Sequence, residues 1–425
     1  MPRALSRRPF GRGIRPHASV RRIIALNNGF QLLFNLHWWM PVFYTYQREA
    51  GLGDAEIFGI QSVYYVAFCF LEIPTGLIAD RIGPRRCLCL GAVVMTAANA
   101  TPALWPTYTG FLAHFLAIAV ARSLVSGAAS AYLYESLHAH GEGDRYLQAE
   151  GSARAVGLGA KIVCWPFAGL LMQYVHAAPY LLSALCSAAS VACALALPPL
   201  PAAKREPAGH ARPEPRAEPA RTGLAATARR IAHDLRSSPR LGLLMLQGIA
   251  LFTLARISHV NLFQPMLLDK DVAAAHHGTV LSAMTLAEAI AAARPRWILR
   301  HLRGSTAVYA LSLLMAGCLA AVVVSGGLAT AAWLCVFAAA AGMAFPIQRS
   351  LVNDAIPPGA DRATLLSLES LLDRGVCAVA AVAVGAYLSA GRLDELLLHV
   401  ALVTVAGLGA LIVVARAVSS RPRPR

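Results

Sequence analysis

Apolar residues recur in long runs over almost the whole chain, each run closed by a short break of Pro, Gly or basic residues. A helix needs about 20 mostly apolar residues to cross a bilayer, and these runs have that length. The breaks set six runs near 23–45, 56–80, 86–105, 109–136, 151–175 and 179–198, and six more near 241–267, 277–300, 305–326, 328–350, 363–390 and 394–416. Between the two sets, residues 200–222 are Pro, Ala and charge without a period, the composition of a flexible linker. Then Leu224, Ala228, Ile231 and Leu235 fall at helical spacing with Arg229, Arg230 and Arg236 off the stripe. That pattern suits a helix lying on an anionic membrane surface, with a soluble amphipathic linker helix as the alternative. The pattern therefore predicts an all-α polytopic membrane protein with 12 transmembrane helices in two pseudo-symmetric six-helix bundles. Its expected parts are a basic tail (1–22), a first bundle (23–199), a linker (200–240), a second bundle (241–416) and a short tail (417–425).

Composition strengthens this reading. Of the 425 residues, 57% are hydrophobic and 14% charged, whereas soluble domains average roughly 45–50% and 25%. The formal net charge of +16 would suggest nucleic acid if it formed a patch on a soluble module. Here the basic residues fall in alternate breaks instead, so no nucleic-acid partner is expected. Of the 38 Lys and Arg, 28 fall on one expected side, and only Arg48, Lys270 and Arg392 on the other. The bias places both termini in the cytoplasm and the chain in a bacterial inner membrane. The first run has no convincing small-residue cleavage site and is read as an uncleaved helix. The nine cysteines sit almost all in apolar runs as packing residues, and Cys87 and Cys89 are too sparse a pair to imply a metal. Trp38, Trp39, Tyr44, Tyr46, Trp105 and Tyr108 cluster toward the expected outer helix ends, as an interfacial belt would.

The most specific local pattern closes the second run: Gly76, Asp80, Arg81, Gly83, Pro84, Arg85 and Arg86. Gly76 leaves room for a neighbouring helix, Asp80 sets a carboxylate one turn later on the same face, and Gly83 turns the loop. This segment resembles the loop 2–3 signature of the major facilitator superfamily, G-x-x-x-D-R-x-G-R-[KR]. It departs by Pro84 where an arginine is usual, which displaces the arginine pair by one residue. The resemblance extends over nearly the whole chain. Arg122 with Ser126 and Gly127 is similar to the helix-4 motif of proton-coupled members, one residue longer in spacing. Gly157, Gly159, Pro166 and Gly169 partly match the helix-5 motif of antiporters, with Trp165 where a glycine is expected. The segments 71–76, 134–137 and 362–367 resemble a bacterial exporter-like subgroup. In the second half the loop from Arg300 to Gly304 has lost the aspartate, so the halves are not functionally equivalent.

Ionisable side chains within a span cost several kcal/mol by some scales and ask for a partner or a wet cavity. They are Glu72, Arg122, Lys161, Arg256, Glu288, Glu369, Asp373 and Arg374. Glu72, Gly76 and Asp80 share one helical face by their spacing. In the superfamily that face meets helix 11, which makes a Glu72–Arg374 bridge one reading and a protonatable Glu72 the other. Glu72, Gly76, Asp80, Arg81, Gly83, Arg85 and Arg374 are the expected gating set. Arg122, Lys161, Arg256 and Glu288 fall deeper, where Arg256 either neutralises Glu288 or joins a cationic cavity suited to an anion. Asn28, Gln31 and Asn35 add a polar stripe on helix 1 and complete the expected substrate-binding set; His37 and His259 are either cavity residues or packed hydrogen-bonders.

The resemblance implies a secondary transporter whose halves rock around a midplane site. No G-x-x-x-x-G-K-[ST] phosphate loop occurs, so an ion gradient is expected to drive any uphill transport, with protons the expected coupling ion. The leading expectation is proton-coupled export of a small organic molecule, an anion or a drug, by a monomer in the lipid bilayer. An uptake symporter for an anionic metabolite is second, followed by a membrane-embedded enzyme and a non-transporting sensor. H-E-x-x-H and G-x-S-x-G are both absent, so neither an enzyme nor a metal or other cofactor is expected.

Overall fold

The computed structural model describes residues 16–200, 238–357 and 362–419; within these, the side chains at 16–19, 72–74, 76, 77, 80, 363, 418 and 419 are outside the description. Most of the linker, with its amphipathic stretch, lies outside the described residues, as do the chain ends and the side chains of Glu72 and Asp80. The first half contains α1 (Pro16–Asn35), α2 (Phe43–Glu49), α3 (Asp54–Ile82), α4 (Pro84–Leu104), α5 (Tyr108–Ala139), α6 (Tyr146–Cys164), α7 (Ala168–Tyr174) and α8 (Ala178–Ala196). The second contains α9 (Pro239–Arg256), α10 (Phe263–Asp269), α11 (Ala274–Ala292), α12 (Arg296–Leu299), α13 (Gly304–Val323), α14 (Gly327–Ala355), α15 (Arg362–Ser389) and α16 (Leu393–Ser419). Among the described residues nine helices are long and apolar enough to cross a membrane by length and composition. The remaining long helices, α1, α3 and α11, carry the polar positions Gln31, Gln61 and Glu288, which face cavities.

Each half is a bundle. In the first, α4 packs on α5 and α8, α1 on α6 and α8, and α3 on α5; in the second, α14 packs on α11 and α13, α13 on α16, and α9 on α14 and α15. Two seams join them: α3 against α15, and α11 against α6, α7 and the short 3-10 turn between those two helices. The second seam needs glycine. A Cβ at Gly278 on α11 would run into the Trp165 carbonyl, and one at Gly169 on α7 into that of Ala274. With no side chain at either position, the backbones approach closely enough to seal one end of the molecule.

Two helices break where proline dictates. The expected continuous helix over 23–45 is interrupted between Asn35 and Phe43, because Pro41 has no N–H and disfavours helical geometry at Met40. A break inside a bilayer must satisfy its freed backbone groups within the protein. Ser183 Oγ accepts from the Trp38 N–H at 2.8 Å, Gln264 Nε2 donates to the Met40 carbonyl at 3.3 Å, and Gln264 Oε1 accepts from the Tyr44 N–H at 3.2 Å. In the second half Ile257–Leu262 widen into a π-helical turn. Pro265 removes one N–H and crowds the carbonyl four residues earlier, the usual origin of such a bulge. The break is built partly by the second half, so α10 and the α1–α2 break are clamped together at the same sealed end.

The aromatic belt expected around Trp38 to Tyr46 is not what the structure shows. Trp39, Tyr44 and Tyr46 are buried, because the break turns them inward and Trp39 Nε1 donates to Asn99 Oδ1 at 2.8 Å. Trp105 and Tyr108 do remain exposed.

Candidate functional site

Opposite the sealed end the halves diverge around a cavity of about 600 Å³, which runs from Asn35 at the end of α1 and Arg122 near the middle of α5 to Ser130, Glu150 and Arg154. Volumes of this order hold small organic molecules. Gln31, Lys161 and Arg374 also line it. Deeper, toward the sealed end, a chamber of about 280 Å³ shares Asn35, Arg122, Lys161 and Arg374 with the first cavity and adds Arg256. A third cavity of about 310 Å³, within the second half, is lined by Arg256, His259, Glu288, Arg349, Glu369 and Asp373. Arg256 and Val260 belong to both the chamber and the third cavity.

The charges on these walls are treated differently. Arg256 Nη2 donates to Asp373 Oδ2 at 2.8 Å, and Thr253 Oγ1 donates to the other carboxylate oxygen at 3.1 Å. Arg349 Nη1 donates to Glu369 Oε2 at 2.9 Å. Both carboxylates are buried, at 3% and 1% exposure, and each has the cation that a buried charge requires. The sequence reading in which Arg256 neutralises Glu288 gives way to Asp373, which α15 presents to α9. Glu288 has instead His259 Nδ1 at 3.8 Å. Arg122 and Lys161 have no carboxylate within ion-pair distance among the described residues; Lys161 Nζ lies 5.6 Å from the centroid of the Trp165 ring. Arg374 stacks on Phe68 at 3.7 Å from the ring centroid, which holds its guanidinium against α3 one turn from Glu72.

The polar stripe of α1 divides. Gln31 and Asn35 line the cavity, and Asn35 Nδ2 donates to the Gln31 side chain at 3.1 Å. Asn28 points elsewhere: its Nδ2 donates to Ser152 Oγ at 3.0 Å and ties α1 to α6. Of the gating set, Gly83 adopts φ +84° and turns the chain directly from α3 into α4. Arg85 Nη2 donates to the Leu195 carbonyl at 2.6 Å, closing the last turn of α8, while Arg81 is exposed. Sequence reasoning missed Arg349, Gln61 and the aromatic lining of the chamber. The apolar runs carry no mark that says which aromatic rings face inward.

The sequence model of the Major Facilitator Superfamily matches residues 29–368. No curated protein matches the sequence. Among solved structures the chain is similar to the nucleoside transporter NupG, with a TM-score of 0.70 and 15% identity over 93% of this chain and 98% of that one. It is similar to the POT family transporter PepTSo, with a TM-score of 0.71 and 11% identity over 96% and 100%. A bacterial homologue of the human lysosomal transporter Spinster, in an inward-facing and unoccupied conformation, gives 0.65 and 13% identity over 97% and 100%. At these identities the likeness speaks to the fold.

Proposed function

This chain belongs to the Major Facilitator Superfamily, and from that premise we propose that it is a secondary transporter moving a small organic anion together with a proton. The observation that carries this reading is the pair Arg122 and Lys161, which line both central cavities without an ion-pair partner among the described residues. Cations held in a low-dielectric concavity focus a positive field on whatever enters, and an anion supplies the missing counter-charge. Arg122 offers a planar fork that matches a carboxylate with two hydrogen bonds, and Lys161 a point charge beside it. Gln31 and Asn35 add polar groups on the adjoining wall.

The coupling follows from sign. Glu150 and Glu288 are the acids of this cavity system without an Arg or Lys partner among the described residues, and we assign Glu288, with His259 beside it, as the proton site. An anion on the cationic wall and a charged Glu288 repel each other, so an anion and a proton bound together favour one another. Positive linkage of this kind moves both ligands in the same direction. It supports the uptake reading over proton-antiport export, which needs the two ligands to compete. The exporter-like segments remain the argument for export, and one experiment separates the two.

Alternating access uses the two seams. The described conformation is open at the end where α1 begins and sealed at the other by Gln264 and by the close approach of Gly278 to Trp165 and of Gly169 to Ala274. We place the open end in the cytoplasm, from the distribution of basic residues. Both halves then rock about the midplane, with twelve spans in a bacterial inner membrane. The test is transport in proteoliposomes with an imposed pH gradient, over a panel of organic anions and their neutral amides. Accumulation of an anion on the alkaline side, lost in Arg122→Gln, is expected. Transport that favours the neutral amides, or accumulation on the acidic side, overturns the reading.

A further inference from the structure

The chamber beyond the cations differs in character from the wider cavity. Its walls include the rings of Trp39, Phe43, Tyr64, Phe115 and Trp165. These rings are fixed in place. Trp39 Nε1 is held by Asn99, Trp165 Nε1 donates to the His37 carbonyl at 2.9 Å, and Phe115 lies 5.8 Å from Trp39 and 5.9 Å from Tyr64 between ring centroids. Because the indole N–H groups are spent on the protein, no donor of either ring remains for a guest. What the rings offer is stacking and edge contact, geometries that aromatic pairs favour at centroid spacings of roughly 4.5–7 Å.

Besides the charged groups, two buried polar atoms of this lining have no partner among the described residues. Gln61, 3% exposed, has a buried Nε2 without an acceptor among the described residues, and His37 has a buried Nδ1 without a partner among them. Both residues line the chamber. A buried donor left unpaired is costly, and such atoms are normally satisfied by a ligand or water when the site is filled. The size is informative too. A cavity of about 150 Å³ takes a benzene ring, so about 280 Å³ takes one ring with a substituent.

We infer that the substrate is an aromatic acid bearing a hydrogen-bond acceptor across the ring from its carboxylate. The carboxylate binds Arg122 and Lys161 at the mouth of the chamber, the ring enters the aromatic walls, and the acceptor meets the Gln61 amide. This rests on the anion-site reading given above and extends it from charge to shape.

The test is isothermal titration calorimetry of the purified full-length protein in detergent with four probes: 4-acetylbenzoate, benzoate, cyclohexanecarboxylate and acetate. Benzoate is expected to bind about 2- to 10-fold tighter than cyclohexanecarboxylate, the step that aromatic contacts of this kind supply, and 4-acetylbenzoate tighter again. Gln61→Leu removes only the advantage of 4-acetylbenzoate over benzoate, and Arg122→Gln weakens all four. Equal affinity for benzoate and cyclohexanecarboxylate, both weakened by Arg122→Gln, overturns the aromatic assignment and leaves the anion site standing. An unchanged 4-acetylbenzoate advantage in Gln61→Leu overturns the role of Gln61. No binding by any probe, or binding indifferent to Arg122→Gln, overturns the anion site itself. Should a variant fail to fold, the ranking of the four probes on the unaltered protein still decides.

Discussion

The two walls of the central space both carry charges and use them in opposite ways. On the second half, α9, α14 and α15 bring each buried carboxylate to an arginine, Arg256 to Asp373 and Arg349 to Glu369. On the first half, α5 and α6 bring Arg122 and Lys161 to open space with no ion pair among the described residues. Paired charges buried in a bundle specify how helices pack, and removing one partner strands the other. Unpaired cations facing a cavity contribute nothing of that kind. Their desolvation is tolerated because water or a ligand fills the space, so the first wall is built for binding and the second for assembly.

Substitutions that remove one charge at a time test this contrast most severely. Arg349→Leu strands Glu369, 1% exposed, and is expected to cost roughly 3–5 kcal/mol of stability. Thermal melting in detergent reads the loss, and the double variant Arg349→Leu with Glu369→Leu should recover most of it. A single variant that melts like the parent would remove the assembly role from the second wall. Arg122→Gln, by contrast, should leave melting within about 0.5 kcal/mol while anion affinity falls by roughly 1.5–3 kcal/mol, the value of a hydrogen bond to a charged group. Loss of fold without loss of binding in the survivors would make Arg122 structural after all.

Smaller effects refine the boundary between the two roles. Gly278→Val forces α11 away from the Trp165 carbonyl and should cost about 1–3 kcal/mol of packing in the sealed conformation. Labelling of a cysteine placed near Gln264 should then increase from the sealed end; unchanged labelling would mean that this seam does not close the molecule. Asn28→Ala removes a hydrogen bond to Ser152 and should cost about 1 kcal/mol of stability with anion affinity unaltered. A change in affinity would return Asn28 to the cavity beside Gln31 and Asn35.

The helices were legible because bilayer thickness imposes a length, and the basic breaks mark their ends. Arg122, Lys161, Gln31 and Asn35 were legible as cavity residues because a polar side chain within a span has few other places to be. Pairing was not legible. Arg256 and Glu288 both fall in the middle of their helices, yet which acid meets Arg256 depends on how α15 is rotated against α9, and one sequence carries no signal of that rotation. The break in α1 has a signal in Pro41, overlooked because the apolar run continues through it. With the break unrecognised, Trp39 is assigned to the membrane interface, although it belongs to the chamber.

The central claim is that an anion on Arg122 and Lys161 moves with a proton. It is tested most directly by following external pH in lightly buffered proteoliposomes when a transported organic anion is added outside without any imposed gradient. Entry of the anion with a proton alkalinises the medium, in whichever orientation the protein inserts, and Arg122→Gln or Glu288→Gln abolishes the signal. Acidification accompanying entry of the anion, or entry with no pH change, would contradict the account.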